Sequence, residues 1–475
     1  MDKIFILIEK RKRSEKDVAG IVAIYNLGSE KDDKVIYYLA HSMLMLQHRG
    51  KAYWQMAIGK GMAGREGSFP SDDSLLKIIQ QEKLYGTNGI GYLSKRSPQF
   101  PSMNAIRIAL DGFFVDTEKL HLHPYIGSAR NSDSLFKIYY IFKKLLIERQ
   151  NAERAAEFLD RHLRGNLIIK LEDEIYAYRN STGFKPLVSA NNKSKTWSII
   201  ASENSLRASL TDMDFVDVNA GQLIKLSKKN GFEILVILPQ AKIMMDPFEF
   251  IRESHVATVF NGKSIYAIRK SIGKEQAKVI SKDIRIDSAY AEPDYTRPMT
   301  LGFSIEYQRY SKTFQISEGI IKDRYDDSDH MIDFSEQVSK NKLLTTGKSL
   351  KFVIQKLVED KKIGTIQGTI QTGSTTRETI YYLRKAGVRC VEVIVSYVPT
   401  VDGRQVGLYT QNRELIANKY VGFVSSIDEL NEKVAKEVAA DTLYYNSPET
   451  LARGIGIRED NLWFPEWVRF LDYRR

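Results

Sequence analysis

Between Lys361 and Arg377 the chain reads KKIGTIQGTIQTGSTTR, a short β-branched run that enters a Gly/Ser/Thr turn. A helical stretch over Glu378–Lys385 follows and stops at Gly387. A strand that turns straight into a helix aims backbone N–H groups and hydroxyls at one point, where the positive helix end favours an anion. The unit also constrains the fold, because strands alternating with helices build parallel sheets. That alternation runs from about Met245 onward. Before it, over Val18–Leu226, short β-rich runs dominate, with helical spacing of apolar residues only at Val35–Gln47 and Ser134–Leu163. The runs Asn166–Tyr178, Trp197–Ala201 and Gln222–Leu226 read as strands of antiparallel sheets. The change of pattern puts a domain boundary near Pro239–Pro247.

Two domains agree with 475 residues and 43% hydrophobic content. No apolar run reaches the roughly 18–20 residues of a membrane span, so a cytoplasmic protein without a membrane is expected. Lys3–Ile8 (KIFILI) is too short for a signal sequence, and most nearby charge follows it; it reads as an edge or extra strand. The single cysteine, Cys390, excludes an internal disulfide and reads as a buried, inert thiol in the strand-like run Cys390–Tyr397. His41, His48, His121 and His123 have no Cys or carboxylate at metal-site spacing, so structural roles and no metal are expected. Trp463-Phe464-Pro465-Glu466-Trp467 is an apolar knot that docks onto the body, or alternatively onto another subunit.

The Lys361–Arg377 framework resembles the phosphoribosyl pyrophosphate (PRPP) loop of type I phosphoribosyltransferases. The strings GIVAI (Gly20–Ile24), LQHRG (Leu46–Gly50), NSDS (Asn131–Ser134), GFKPL (Gly183–Leu187) and ASE (Ala201–Glu203) precede it. FEFI (Phe248–Ile251), EPDYTRPMTLG (Glu292–Gly302), NRELIA (Asn412–Ala417) and AADTLYY (Ala439–Tyr445) complete the series. Their order resembles that in glutamine PRPP amidotransferases, which transfer ammonia from glutamine onto PRPP in the first step of purine synthesis. The resemblance implies an α/β protein of two domains. Residues 19–240 would form a class II glutamine amidotransferase domain, the αββα sandwich of the N-terminal-nucleophile (Ntn) hydrolases. Residues 241–475 would form a phosphoribosyltransferase-like doubly wound parallel sheet, with 1–18 a basic extension. Some members carry a cysteine-ligated iron–sulfur cluster; with Cys390 alone, none is expected here.

The resemblance also says which chemistry to look for. Family members use an N-terminal cysteine with its own α-amine as base. The matching position is Ala19, behind residues 1–18. The oxyanion Asn-Gly pair corresponds to Asp111-Gly112, a carboxylate where donors are needed. The His-x-Arg motif corresponds to Tyr92-Leu93-Ser94. Arg49, Gly112 and Asp133 are what remains of the glutamine pocket, and each has a structural alternative as cap, turn or buried ion pair. In the transferase half the acidic pair that serves ribose and metal falls on Gln367 and Gly368, and the loop arginine on Thr372. The turn Gly373, Ser374, Thr375, Thr376 survives as a phosphate cradle, or else as an αL turn and helix cap. The pyrophosphate loop Pro-Asp-Ser-Gly corresponds to Pro293-Asp294-Tyr295-Thr296, where Thr296 hinders backbone approach to phosphate. Arg309–Phe314 resembles the family's basic loop but is one residue shorter. A catalytically degenerate member is expected, a pseudoenzyme with no catalytic residues and no cofactor, whose ligand would be a phosphate or nucleotide.

The formal charge of +11 raises association with polyanions. Basic patches fall at Lys10, Arg11, Lys12 and Arg13, at Lys342–Lys351 with Lys356, and at Arg384–Arg389. Tyrosines adjoin cations at Arg309-Tyr310 and Tyr381-Tyr382-Leu383-Arg384, a mixture that suits RNA. The alternative is that the lysines solvate helix faces and the tyrosines fill the core. The expected function is a binding or regulatory protein whose partner is RNA or a ribosomal particle. Two alternatives stand beside it. One is a regulatory paralogue associated with an active amidophosphoribosyltransferase or with itself. The other is a residual ammonia-dependent phosphoribosyltransferase.

Overall fold

A computed structural model of the chain describes residues 19–28, 34–71, 73–95, 107–322, 351–406 and 412–473. Lys3–Ile8, Lys10–Arg13 and nearly all of the Lys342–Lys351 patch lie outside the described residues. The first half holds β1 (Ala19–Asn26), α1 (Val35–Leu46), β2 (Tyr53–Ile58), β3 (Gly61–Glu66), α2 (Asp73–Gln81), β4 (Asn88–Ser94) and β5 (Ile108–Phe114). Then come α3 (Ser134–Lys143), α4 (Ala152–His162), β6 (Leu163–Leu171), β7 (Glu174–Arg179), β8 (Val188–Asn192), β9 (Trp197–Ala201), β10 (Met213–Asp217), β11 (Gln222–Ser227) and β12 (Gly231–Ile237). They form a seven-stranded sheet, β10-β8-β9-β1-β4-β2-β3, and a five-stranded one, β12-β11-β7-β6-β5. All neighbours are antiparallel.

The alternation within β1 explains the layering. Ala19, Ile21, Ala23 and Tyr25 face the core between the sheets, with Leu167 and Ile169 of β6. Val22 and Ile24 point the other way, onto Leu39 and Met43 of α1. A strand with side chains buried on both faces reads as a continuous apolar run, as GIVAI does. Ile138 and Phe142 of α3 and Ala155 and Leu159 of α4 cover the five-stranded sheet. The result is the αββα sandwich that the resemblance implies.

Two readings need correction. The helical stretch Ser134–Leu163 is not one helix: it passes through a π-turn at Lys144–Glu148 and breaks at Gln150, which is left-handed with φ +48°. Asn151 then caps α4, its Oδ1 accepting from the Arg154 N–H at 2.9 Å, and Leu163 already begins β6. Likewise Asn166–Tyr178 is a hairpin, β6 and β7, turned at Glu172. Helical spacing continues across the break at Gln150, so periodicity alone does not reveal it.

The second half opens with the short hairpin β13 (Val259–Phe260) and β14 (Lys263–Ser264), then α5 (Ile265–Ile280), β15 (Ser288–Ala291) and α6 (Arg297–Tyr307). It continues with β16 (Ile320–Lys322), β17 (Lys351–Val353), α7 (Gln355–Val358), β18 (Lys362–Gln367), α8 (Ser374–Lys385) and β19 (Cys390–Val395). The chain closes with α9 (Ile427–Val438), β20 (Thr442–Tyr445), α10 (Pro448–Ile455) and α11 (Glu466–Phe470). Strands β15-β18-β19-β20 form a parallel sheet. Trp463 packs edge-on against Phe184, with ring centres 5.9 Å apart, so the C-terminal knot docks on the first half. Cys390 is half-buried rather than buried; burial, with Asp441 beside it, pushes its thiol up to about 11. Among the described residues no helix is long and apolar enough to cross a membrane.

Helices α5 and α6 approach so closely that a Cβ on Gly302 would lie 1.8 Å from the Lys270 carbonyl oxygen, and one on Gly273 1.9 Å from that of Met299. Gly302→Ala should therefore cost about 1–3 kcal/mol or more in urea unfolding, whereas Lys274→Ala on the exposed side of α5 should be near neutral.

Candidate functional site

Ala19 opens β1 directly across from Ser94, the last residue of β4. After α1 the chain makes a 3₁₀ turn at Gln47–Arg49, and Gly50 then passes so close that a Cβ there would lie 2.3 Å from the Ser94 carbonyl carbon. This delivers Arg49 beneath Ala19. The Arg49 Nε donates to the Ala19 carbonyl at 2.8 Å, and Nη2 donates to Asp111 Oδ2 at 3.1 Å. The Ala19 N–H in turn points to Asp111 Oδ1 at 3.3 Å. Ala19, Ser94, Asp111 and Arg49, far apart in the sequence, thus meet in one buried place.

The other pocket residues have separate duties. Tyr92 lies in the core between the sheets, edge-on to Tyr53. Gly112 is held at φ +140°, where a Cβ would lie 2.1 Å from the Arg164 carbonyl oxygen, so it permits close pairing of β5 with β6. Asp133 caps α3, accepting from the Phe136 N–H at 2.8 Å. Of Arg49, Gly112 and Asp133, Arg49 is the one whose side chain reaches both Ala19 and Asp111.

Arg49 is also committed elsewhere. Its two Nη groups clamp Glu249, Nη1 to Oε2 at 3.1 Å and Nη2 to Oε1 at 2.8 Å. Lys185 Nζ reaches the same Glu249 at 2.7 Å and Asp246 at 2.8 Å. Ser254 Oγ donates to Glu249 at 2.8 Å. Glu203 pairs with His48 and accepts from the His255 N–H at 2.9 Å and the Thr258 hydroxyl at 2.6 Å. His48 therefore does have a carboxylate partner, supplied from a distant strand end. Cations come from the first half and the anions Asp246 and Glu249 from the second, so the network fastens one to the other. The signal in the sequence was a charged residue inside each short motif: Arg49 in LQHRG, Lys185 in GFKPL, Glu203 in ASE, Glu249 in FEFI.

Burial alone would raise both glutamates, but Arg49 and Lys185 hold Glu249 well below the usual carboxylate range, and His48 with Arg49 brings Glu203 down to about 2. For Asp111 burial wins and its pKa rises, because the guanidinium beside it is shared with Glu249. A small recess adjoins the network, walled by Phe184, Val188, Phe250 and Phe260, with Glu203 and Glu249 at its polar side.

The second place of interest lies at the C-terminal end of β18. Gln367 Oε1 accepts from the Thr376 hydroxyl at 2.7 Å within the core. Gly368 lies under the Tyr295 ring, where a Cβ would be 2.2 Å from Cε2. The Arg252 guanidinium stacks 5.0 Å from that ring's centre. Gly373, at φ +77°, is the N-cap of α8, and Ser374, Thr375 and Thr376 are its first turn. The helix thus begins earlier than the expected Glu378, because serine and threonine are well tolerated in a first turn. Thr372 Oγ1 lies 3.1 Å from Ser374 Oγ, and Arg377 Nη2 donates to the Thr372 carbonyl at 3.0 Å. Thr296 caps α6, and Phe314, which ends the match to the basic loop, is buried against Tyr307.

The Arg384–Arg389 patch is largely balanced: Arg384 pairs with Asp441, and Arg389 approaches Asp287 at 3.9 Å and Asp360 at 4.0 Å. Among the described residues no group of three His, Cys, Asp or Glu side chains is placed to hold a metal.

Removing one partner of a buried pair strands the other, at a cost of about 3–5 kcal/mol. Glu249→Gln should therefore lower unfolding free energy by that order. The depressed Glu203 adds stability that is full above its unfolded pKa near 4.5 and is lost as pH falls toward about 2. Urea midpoints should fall across that window, and Glu203→Gln should flatten the fall.

No family model matches the chain. Named relatives are nevertheless similar over nearly all of it. The amidophosphoribosyltransferase of Methanocaldococcus jannaschii is 24% identical, covering 93% of this chain and 95% of its own length. That of Synechococcus elongatus is 24% identical over 92% of this chain and 87% of its own. Among solved structures, one described as the allosteric regulatory enzyme of purine biosynthesis superposes with a TM-score of 0.71 at 19% identity, covering 93% of this chain and 94% of its own. The glutamine PRPP amidotransferase of B. subtilis, complexed with ADP and GMP, gives 0.68 at 21% identity, with 92% of each chain covered. Along nearly its full length, then, this chain is similar to the amidophosphoribosyltransferases, and it has the two-part fold of the glutamine PRPP amidotransferases.

Proposed function

We propose that this protein is a non-catalytic relative of the amidophosphoribosyltransferases that acts by binding, in a regulatory role. One observation carries the reading: the Asp111 carboxylate faces the N–H of Ala19, a residue with only a methyl to offer as side chain. Amide hydrolysis needs a nucleophile there and donors for a developing oxyanion. A carboxylate supplies the opposite charge, and Arg49 is already spent on Asp111 and Glu249. On the transferase side, Gly368 has no carboxylate and no room for one beneath Tyr295. That weighs against a residual ammonia-dependent transferase.

The surviving binding element is the first turn of α8, and a phosphate or nucleotide is the ligand it suits. The relatives' place in purine biosynthesis, and the ADP and GMP named with one of them, support a regulatory paralogue of an active amidophosphoribosyltransferase. An RNA or ribosomal partner is the second reading, favoured by the +11 charge and the Lys10–Arg13 run. The ion-paired Arg384 and Arg389 add little to it.

Purified protein should release no glutamate from glutamine above a blank, and Ala19→Cys should not restore release while Asp111 remains. Turnover that a pocket substitution abolishes without unfolding the chain would overturn the proposal. If the α8 turn binds phosphate, a mononucleotide or PRPP should raise the melting temperature by mass action. Thr375→Glu should remove that shift while leaving the ligand-free melting temperature nearly unchanged; no shift at millimolar ligand would leave the turn a helix cap.

A further inference from the structure

Helix α5 buries one side and leaves the other to solvent. Ile265, Ile268, Ile272 and Ile280 belong to the core of the second half. On the open side Tyr266, Lys270, Lys274 and Lys278 recur every four residues, and Lys282 continues the series just past the helix end. Each step is ~6 Å along the axis, so the lysines extend over ~18 Å. Arg285 adds to them. Its guanidinium donates to the carbonyls of Ser281, Lys282 and Ile284, covering the negative end of the helix with a cation.

The end of α6 lies alongside, because the Tyr307 hydroxyl donates to the Ile284 carbonyl at 3.0 Å. Arg309, Tyr310 and Lys312, all exposed, follow it, and Tyr310 lies within electrostatic reach of Lys278. The carboxylates close by are Glu275, Asp283 and Glu306. Glu275 already serves Lys278 at 2.7 Å and Arg453 at 3.8 Å, and Glu306 is buried beside Arg309. Lys270, Lys274, Lys282 and Lys312 carry no ion pair among the described residues. Two aromatic rings stand among these cations, Tyr266 44% and Tyr310 52% exposed.

A row of uncompensated cations attracts a polyanion, and rings open to solvent among them favour one with bases to stack. A bilayer surface would need apolar area to bury, and the apolar side of α5 is spent on the core. We propose that α5 and the segment Arg309–Lys312 form a surface for single-stranded RNA, with phosphates on the lysines and bases on Tyr266 and Tyr310. This rests on the RNA reading of the function and gives that reading a site in the second half of the fold, apart from the Lys10–Arg13 run.

Fluorescence anisotropy of a labelled single-stranded oligouridylate with the full chain tests this. Lys270→Gln, Lys274→Gln, Lys278→Gln and Lys282→Gln together should weaken binding at least about ten-fold at low salt. They should also make the slope of log K against log salt shallower by about 3, at about 0.7 per phosphate contact. Tyr310→Ala should weaken binding about five-fold or more and leave the slope as it is. Lys51, Lys60, Lys193 and Lys229, exposed elsewhere, changed to glutamine together, are the charge-matched control and should cost far less. Equal losses in both sets, or no loss in either, would overturn the site while the RNA reading stands. No binding by the intact chain at low salt would end that reading and this proposal together. Retention on phosphatidylserine vesicles that the four α5 changes abolish, without RNA binding, would make an anionic membrane the partner and overturn the proposal too.

Discussion

The clamp of Arg49 on Glu249 is the contact on which the architecture turns. A buried carboxylate is tolerable only with full compensation, and Glu249 obtains it from Arg49, Lys185 and Ser254 together. The cations belong to the sandwich; Glu249 and Asp246 belong to the chain that enters the parallel-sheet half. The cations that compensate Asp246 and Glu249 come from the other half. Glu203, tied to the N–H of His255 and the hydroxyl of Thr258, repeats the arrangement on the next face. Apolar packing of Trp463 on Phe184 then closes the junction at the C-terminus.

The same network determines what the first half can do chemically. Arg49 reaches Ala19 and Asp111 with the groups left over from Glu249, so the space beneath the strand start is occupied by side chains serving stability. Hydrogen bonds and buried ion pairs hold this place in shape.

In the second half the change is steric. Gly368 and Tyr295 fit each other, the ring occupying the volume a side chain at 368 would need, and Arg252 stacks beyond it. Gln367 turns inward, its Oε1 accepting from the Thr376 hydroxyl. The helix start that follows keeps its geometry because a left-handed glycine and a Ser/Thr first turn suffice for it.

Much of this was legible in the residues alone. Continuous apolar runs such as GIVAI marked strands buried on both faces, and the strand–turn–helix at Lys361–Lys385 announced a parallel sheet, because each depends on local periodicity. The absence of a nucleophile at Ala19 and of an acidic pair at Gln367-Gly368 needed only side-chain chemistry. Local patterns failed where a single backbone dihedral interrupts an unbroken spacing, as at Gln150. They failed again for a pairing between distant positions: Arg384 with Asp441 largely balanced a basic patch. What the sequence by itself determined was the order of elements and the chemistry each position lacks. The tertiary structure alone decided that Arg49, Lys185, Glu203 and Glu249 meet, since charges up to 200 residues apart find one another only when the sheets bring them into a water-free space.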